Sequence, residues 1–510
     1  MVRRYGICVA LVLALTAANV FWRLGTVVVS DSDEARYGVS ASEMLSAHAL
    51  LIPTYGGRPT YLLGDQDVKP PLGYWLLELS FLVFGSTALA LRLPSALCGL
   101  GVVALTMSAS RRWFGRRPAI LSGLIMSTCL GFLGHHGARS GDFDSALTLI
   151  LLAALIEIPR LIEGRAHLLR WSLLLSLGFL LKSFAILPLV LVAVLYLGIR
   201  GEWRRIDLRS WALAGRLFVT IVGGWALARS LADGSSTFVV RMMREDLFMR
   251  ATQMVNKVTY APYDYLGSVF DRLAPWPLVI LVGFVAARRA LRMPPNVRLL
   301  LLTWVLVPLV LFTLARTHHH WYLEPTYPAW AMLAAVSTMA LLRRARGSVS
   351  SLVAAGLVVL VLIAGETRVI LRVVRDRMPD DQLFLRSLHD RGVAGGGVYA
   401  AFPLWSSERF ILQVVDGLRV DEPVGASRST TNGLHDSAVL QTKQPGRMPT
   451  AWSPPQGSRI VAASNDYLVW RCPLPGCAVG TANLAVSRAE QPVCRSASRQ
   501  PPPRPGDVRG

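Results

Sequence analysis

Three carboxylates, Asp31, Asp33 and Glu34, stand in "SDSDEARYGVSASEML", directly after the apolar run "ICVALVLALTAANVFWRLGTVVV". Acids there could take a proton from a reacting hydroxyl, or do no more than cap a helix whose N-terminus favours negative charge. Lys69 follows in "DVKPPL", and "GARSGDFDSALTLIL" supplies Arg139, Asp142 and Asp144. Lys182 lies between two apolar runs, and "THHHWYLEP" places His318, His319 and His320 beside Trp321 and Tyr322. Ions at a membrane edge are costly unless paired or hydrated, so such positions mark a water-filled cavity. Taken singly, each has a plainer reading: lipid snorkelling for Lys69, interfacial aromatics for Trp321 and Tyr322. Consecutive histidines point in different directions, so the three are not expected to share one metal. Together the set suits group transfer from an anionic lipid, with a carboxylate as base and cations stabilising a leaving phosphate.

The elements that must position these residues are membrane spans. The chain has 510 residues, 53% hydrophobic and 17% charged, well below the roughly 25% charge of a soluble domain. Its net charge of +21 argues little for nucleic acid, because the arginines fall in short clusters between apolar segments, as in cytoplasmic loops. Apolar runs predict eleven spans, near 7–29, 90–110, 118–136, 145–159, 168–181, 183–199, 213–231, 274–288, 297–315, 321–342 and 350–372. The stretch 71–85, "PLGYWLLELSFLVFG", is about 22 Å long as a helix, short for a core of about 30 Å. If it does not cross, the arginine clusters at 111–117, 159–170, 200–209, 288–298 and 343–347 all fall inside with Arg3 and Arg4. It is therefore expected as an interfacial or re-entrant helix, which gathers 30–45, 64–71, 135–144, Lys182, 232–272 and 317–325 on the extracytoplasmic face.

The predicted fold class is an all-α polytopic membrane protein with a small C-terminal extracytoplasmic α/β domain. Domain limits are expected at 1–372 for the membrane part, with a first outer loop over 30–89, and at 373–485 for the outer domain, where "GGVYAAFPLW", "RFILQVVDGLRV" and "RIVAASNDYLVW" read as strands. Residues 486–510 read as a disordered tail. Cys472 and Cys477 could pair in an oxidising compartment, leaving Cys494 over. The first apolar run is too long for a cleaved leader and is expected as an uncleaved signal anchor.

Several motifs in order, "DSDEARYGVSASEML", "KPPLGYWLLELSFLVFG", "LRLPSALCGL", "GHHGARSGDFDSALTL", "LLKSFAILPLV", "YAPYDYLGSVFDRLAPWPLV" and "HHHWYLEPTYPAWAML", resemble glycosyltransferase family 39, the protein O-mannosyltransferases and lipid A aminoarabinose transferases. The resemblance covers roughly residues 5–345 and implies a C-type glycosyltransferase fold. It also implies transfer of a sugar from a polyprenyl monophosphate, with inversion, to a lipid, glycan or protein acceptor outside the cytoplasm of a bacterial inner membrane. Carried over position by position, it makes Asp33, Glu34 and Asp144 catalytic, and Lys69, Tyr322 and Arg92 binders of the donor phosphate. Arg36 and Tyr37 become cavity-lining, as Arg139, Asp142 and Lys182 are expected to be from their place at the membrane edge. The histidine that the family often places before its tyrosine pair is absent from "MVNKVTYAPYDY", where Lys257 is the nearest cation, so no cofactor is expected with certainty and a divalent metal is left open. The large inserted domain of protein mannosyltransferases is absent too, which favours the bacterial lipid- or glycan-modifying branch. Other C-type branches, arabinofuranosyl- or mannosyltransferases, are the nearer alternatives. A transporter is the competing class, but polar residues gathered on one side and no visible inverted repeat speak against it.

Overall fold

The computed structural model describes residues 2–31, 33–62, 68–134, 136–252, 263–287, 289–345, 347–392, 397–421, 437–444, 447 and 458–471. Residues 64–67, Lys257, the three C-terminal cysteines and the tail lie outside them.

The first helix α1 (Val2–Phe21) leads through a short loop into the amphipathic α2 (Asp33–Ala47). A small hairpin of β1 (Thr54–Tyr55) and β2 (Arg58–Pro59) precedes α3 (Leu72–Phe84) and α4 (Ala88–Phe114). Thr87 caps α4 by accepting the Ala90 N–H at 3.1 Å. Next come α5 (Arg116–Ser127), α6 (Leu130–Leu133), α7 (Asp144–Glu157), α8 (Arg165–Lys182) and α9 (Leu187–Ile199). After α10 (Leu208–Phe218) and α11 (Gly224–Asp233), α12 (Thr237–Met242) runs through a π-helical stretch, Met243–Met249, into α13 (Arg250–Thr252). The membrane part closes with α14 (Asp264–Leu273), α15 (Trp276–Ala286), α16 (Pro295–Leu314), α17 (Tyr327–Arg344) and α18 (Ser348–Arg375).

Among the described residues seven helices are long and apolar enough to cross a membrane, and eight if α14 and α15, bent by 96°, count as one span. The difference from eleven has local causes. The runs at 168–181 and 183–199 join into one 35-residue segment. The run at 118–136 ends early, because α5 has only 12 residues before the chain turns at Thr128. The run expected from 321 enters helix only at Tyr327, as α17, whose last turn holds Arg343 and Arg344. α3 has 13 residues, fewer than the seven long apolar helices. Lys69 before it and Arg92 after it both reach the groups around Asp33, so its two ends return to one end of the bundle.

Beyond α18 a second apolar core forms. α19 (Asp380–Asp390) and the helical segment α20 (Ser406–Arg409) to Val415 pack Leu385, Leu388, Phe402, Ile411 and Leu412 onto a sheet. Its strands are β3 (Gly397–Ala400), β4 (Arg419–Asp421), β5 (Ser437–Thr442), β6 (Arg459–Ala463) and β7 (Tyr467–Arg471), in spatial order β4-β3-β5-β7-β6. β3 runs parallel to both neighbours, whereas β7 is antiparallel to β5 and β6, with Leu440 opposite Val469. Mixed pairing of this kind bears out the α/β character expected for the outer segment. The sheet domain is fastened to the first loop. Gln382 exchanges hydrogen bonds with the Val29 backbone at 3.0 and 2.9 Å, and Asp31 accepts the Ser407 N–H at 3.1 Å.

Glycine sets how closely α3 approaches the site. A Cβ on Gly73 would fall 2.4 Å from the Phe143 ring, and that ring cannot retreat because it stacks on Tyr37 at 4.1 Å. Gly73→Ala is therefore expected to lower stability by about 1–3 kcal/mol, read as a lower thermal unfolding midpoint of the detergent-purified chain.

Candidate active site

A buried ion pair fixes the loop that carries the acids. Arg92 meets Glu34 through Nε–Oε1 at 2.5 Å and Nη2–Oε2 at 3.1 Å, and both side chains are 2% exposed. The remaining guanidinium N–H groups donate to the carbonyls of Leu24 at 2.8 Å, Val27 at 3.3 Å and Val28 at 2.6 Å. Glu34 also accepts the backbone N–H groups of Ser30 and Gly141, each at 2.9 Å. A pair so fully hydrogen-bonded offsets its desolvation. Glu34 and Arg92, expected as catalytic and phosphate-binding, are thus engaged with each other and with backbone, and their effect is to hold Asp33 in place.

Two more expected cavity residues turn out to be structural. Arg139 donates to the carbonyls of Asn19 at 2.7 Å, Val20 at 2.9 Å and Trp22 at 3.0 Å, which satisfies the end of α1. Tyr37 is 1% exposed and lies between the rings of Phe143 and Tyr74. By contrast, Asp33, Arg36, Asp142, Asp144, Lys182, Lys69 and Tyr322 do converge.

Asp33, at the first turn of α2, pairs with Arg36 and keeps a quarter of its side chain exposed. Burial works against its charge, but Arg36, His136, Lys182 and Lys69 hold its carboxyl below the ordinary carboxylate range. Asp144 begins α7 and receives the Lys182 ammonium at 2.6 and 2.7 Å. Beneath it Ser145 donates to the buried Glu324 at 3.0 Å.

A second strand of polar contacts starts at Lys69, which donates to both oxygens of Asp246 at 2.9 and 3.0 Å. Arg250 Nε meets the same carboxylate at 3.0 Å, and its Nη1 donates to the Tyr322 hydroxyl at 2.7 Å. Lys69 and Tyr322, far apart in sequence, are therefore joined through Asp246 and Arg250. The spacing of one helical turn in "EDLFMR" was the available signal for that pair. Tyr322 also lines a small apolar cleft walled by Leu151, Leu155, Leu189, Val192, Trp304 and Phe312.

The three histidines diverge as expected: His318 Nε2 faces the Ala315 carbonyl at 2.9 Å, His319 stacks on Trp321 at 4.3 Å, and His320 meets the edge of that ring at 4.8 Å. His136, unremarked in the sequence, covers the opposite face of Trp321 at 3.8 Å and sets Nδ1 3.2 Å from Asp142 and 4.0 Å from Asp144. Burial opposes its charge, but Asp142, Asp33 and Asp144 raise its pKa to about 8. Donor atoms of Asp33, His136 and Asp142 come within 4.8 Å of one another. A divalent ion there would have to displace the His136 proton and compete with Arg36 for Asp33.

A proton held more tightly in the folded chain than at the ordinary histidine value of 6.5 has a definite consequence. Between that value and about 8 the folded state binds more protons than the unfolded one, so stability falls as pH rises through this window. The loss is about 2 kcal/mol. Unfolding midpoints measured across the window should fall for the wild type and stay flatter for His136→Gln.

The sequence profile of the dolichyl-phosphate-mannose-protein mannosyltransferases matches residues 68–225. Over 314 residues the chain is 31% identical to the undecaprenyl phosphate-alpha-4-amino-4-deoxy-L-arabinose arabinosyl transferase 1 of Sodalis glossinidius, covering 59% of this chain and 54% of that one. The corresponding transferase of Aeromonas salmonicida is 29% identical over 326 residues, 62% of this chain and 57% of its own. The chain thus spans a little over half the length of the curated relatives it matches. In structure it is similar to ArnT of Cupriavidus metallidurans bound to undecaprenyl phosphate, with TM-score 0.67 at 17% identity over 91% of this chain and 97% of that one. The oligosaccharyltransferase of Archaeoglobus fulgidus follows at TM-score 0.50 and 11% identity, covering 86% and 69% of the two chains. The fold is therefore the C-type glycosyltransferase fold, and the chain is similar in sequence to membrane proteins of glycosyltransferase family 39, the family its motifs resemble.

Proposed function

We propose that the chain is an integral membrane glycosyltransferase that moves a monosaccharide from a polyprenyl-phosphate donor to a lipid, glycan or protein acceptor, with inversion. One observation carries this reading: a carboxylate kept ionised, Asp33, shares a buried charge cluster with Lys69 and Arg250, and Arg250 binds the tyrosine that ends an apolar cleft. The apolar lining of the cleft, once opened, would suit an isoprenoid tail, and the cations linked to it through Tyr322 suit a phosphate. Relatives named for undecaprenyl-phosphate-linked aminoarabinose and a neighbour bound to undecaprenyl phosphate support the donor class. The proposed setting is a bacterial inner membrane, with residues 1–372 as the catalytic membrane domain and the N-terminus cytoplasmic. Residues 373–485 would form an extracytoplasmic domain and 486–510 a tail.

In the proposed mechanism the acceptor oxygen attacks the anomeric carbon from the face opposite the phosphate. The bond from that carbon to the phosphate oxygen breaks, and the electron pair leaves with the phosphate. Lys69, Arg250 and the Tyr322 hydroxyl stabilise the charge that develops there. Asp33 takes the proton of an acceptor hydroxyl; with a phosphate acceptor it would instead stabilise positive charge at the anomeric carbon. Arg36, His136, Lys182 and Lys69 set the field around Asp33 and keep its carboxyl ionised. Glu34, Arg92 and Arg139 act by holding the loops.

Transfer of radiolabelled sugar from polyprenyl-phosphate donors, measured in membranes expressing each variant, tests the proposal. Asp33→Asn should lower the rate by about 10²–10⁴-fold, and Lys69→Ala by about 10²–10³-fold. Equal rates in wild type and both variants, at equal expression, would defeat the site assignment. No transfer from any donor would defeat the function.

A further inference from the structure

Asp246 is an acid in a place where an acid works against binding. Under the proposed function, the phosphate site at the end of the apolar cleft is cationic, yet Asp246 takes both of its cations. Its carboxylate receives Lys69 on both oxygens, Arg250 on Oδ1 and the Ser183 hydroxyl on Oδ2 at 2.6 Å. Lys69 and Asp246 are 6% and 5% exposed at the side chain, so little water screens the pair. An ammonium has three N–H groups, and two are engaged here. A phosphate therefore cannot take Lys69 fully while Asp246 keeps its grip.

We infer that Asp246 is an internal counter-anion of the phosphate site, which holds Lys69 and Arg250 together while the site is empty, yields Lys69 to the donor phosphate, and recaptures it as the polyprenyl phosphate product leaves. The inference rests on the proposed function and assigns a positioning and selectivity role to Asp246. Two features of the surroundings suit an exchange of partners. Asp246 lies in the π-helical stretch Met243–Met249, a helix form that recurs at functional sites. Ser183, its hydroxyl donor, sits at φ +45°, a conformation that a non-glycine residue keeps only under constraint, where α8 gives way to α9.

The charge of the two lipid phosphates makes the role selective. The donor is a phosphodiester with one negative charge. The product is a monoester that carries about 1.5 to 2 negative charges near neutral pH. A fixed carboxylate beside both repels the product more than the donor. Asp246 thus limits product inhibition at a site whose cations would otherwise retain the more highly charged species. Arg250 keeps its hold on Tyr322 through Nη1 throughout, so the site does not fall apart when Lys69 changes partner.

The test uses the purified full chain, undecaprenyl phosphate as the monoester and its methyl ester as the diester. Asp246→Asn should bind the monoester about fivefold or more tightly than wild type, with a smaller gain for the diester. In the transfer assay its inhibition constant for undecaprenyl phosphate should fall by more than KM for the donor. Asp246→Glu, which keeps the charge, should remain near wild type. Equal or weaker monoester binding by Asp246→Asn, in a variant that unfolds at the wild-type temperature, would overturn the inference and leave Asp246 as a structural partner of Lys69. Wild type alone gives a second reading if the variant does not fold: it should not favour the monoester over the diester, and a strong preference for the monoester would overturn the inference. If wild type bound neither lipid, the proposed function would fall, and the inference with it.

Discussion

The site depends on one buried interaction, the pairing of Arg92 with Glu34. Without it the segment between α1 and α2 would have three outward carbonyls, at Leu24, Val27 and Val28, and no reason to lie against α4. With it, one guanidinium ties the end of the first helix, the start of α2 and the N-terminal end of α4 into a rigid corner, and the Gly141 N–H adds the loop before α7. Asp33 is the neighbour of the residue so held. Its direction is therefore set by a pair that itself has no access to a substrate. Burying such a pair gains little net stability, and removing one partner costs about 3–5 kcal/mol. The C-terminal domain closes the same corner from outside, through Gln382 on Val29 and Ser407 on Asp31.

Around that corner the charges balance. Asp33, Asp142, Asp144 and Asp246 are matched by Arg36, Lys69, Lys182 and Arg250, with His136 as a titratable addition. Such balance is what a low-dielectric setting demands when no ligand is bound, since an uncompensated ion there is costly. It also means that a bound phosphate must redistribute the pairings, and Lys69 with Asp246 is the pair linked through Arg250 to Tyr322 on the wall of the apolar cleft. Trp321, sandwiched between His136 and His319, gives both histidines a rigid wall.

Much of the fold was legible in the sequence, because apolar runs and arginine clusters act through the bilayer and leave a strong periodic mark. The expectation that 71–85 does not cross came from charge placement and from its shortness, and the helix there has 13 residues. Span ends were less legible: the helix near 118–136 stops at Ser127, and the one expected at 321 begins six residues later, where local turns override an apolar composition that looks continuous. Asp33, Lys69, Asp144, Lys182 and Tyr322, singled out from type and resemblance, are brought together by the fold. Arg92, Glu34 and Arg139 were read as chemistry, whereas the fold uses them as struts. A sequence shows a charge but not whether its partner is a substrate or a carbonyl. Asp246, Arg250 and His136 were passed over because their local pairings look like ordinary surface pairs, and their link to the site comes from distant contacts such as Lys69 with Asp246 and Arg250 with Tyr322.

The central claim is that a lipid phosphate is received at the Lys69, Arg250 and Tyr322 end of the cleft, beside Asp33. A structure of the chain with undecaprenyl phosphate bound tests it most directly. The expected result places the phosphate within hydrogen-bond distance of Lys69 and Arg250, with the tail between α7, α9 and α16. A phosphate seated instead in the cleft of about 750 Å³ between α4 and the C-terminal domain, beside Arg386, would contradict it.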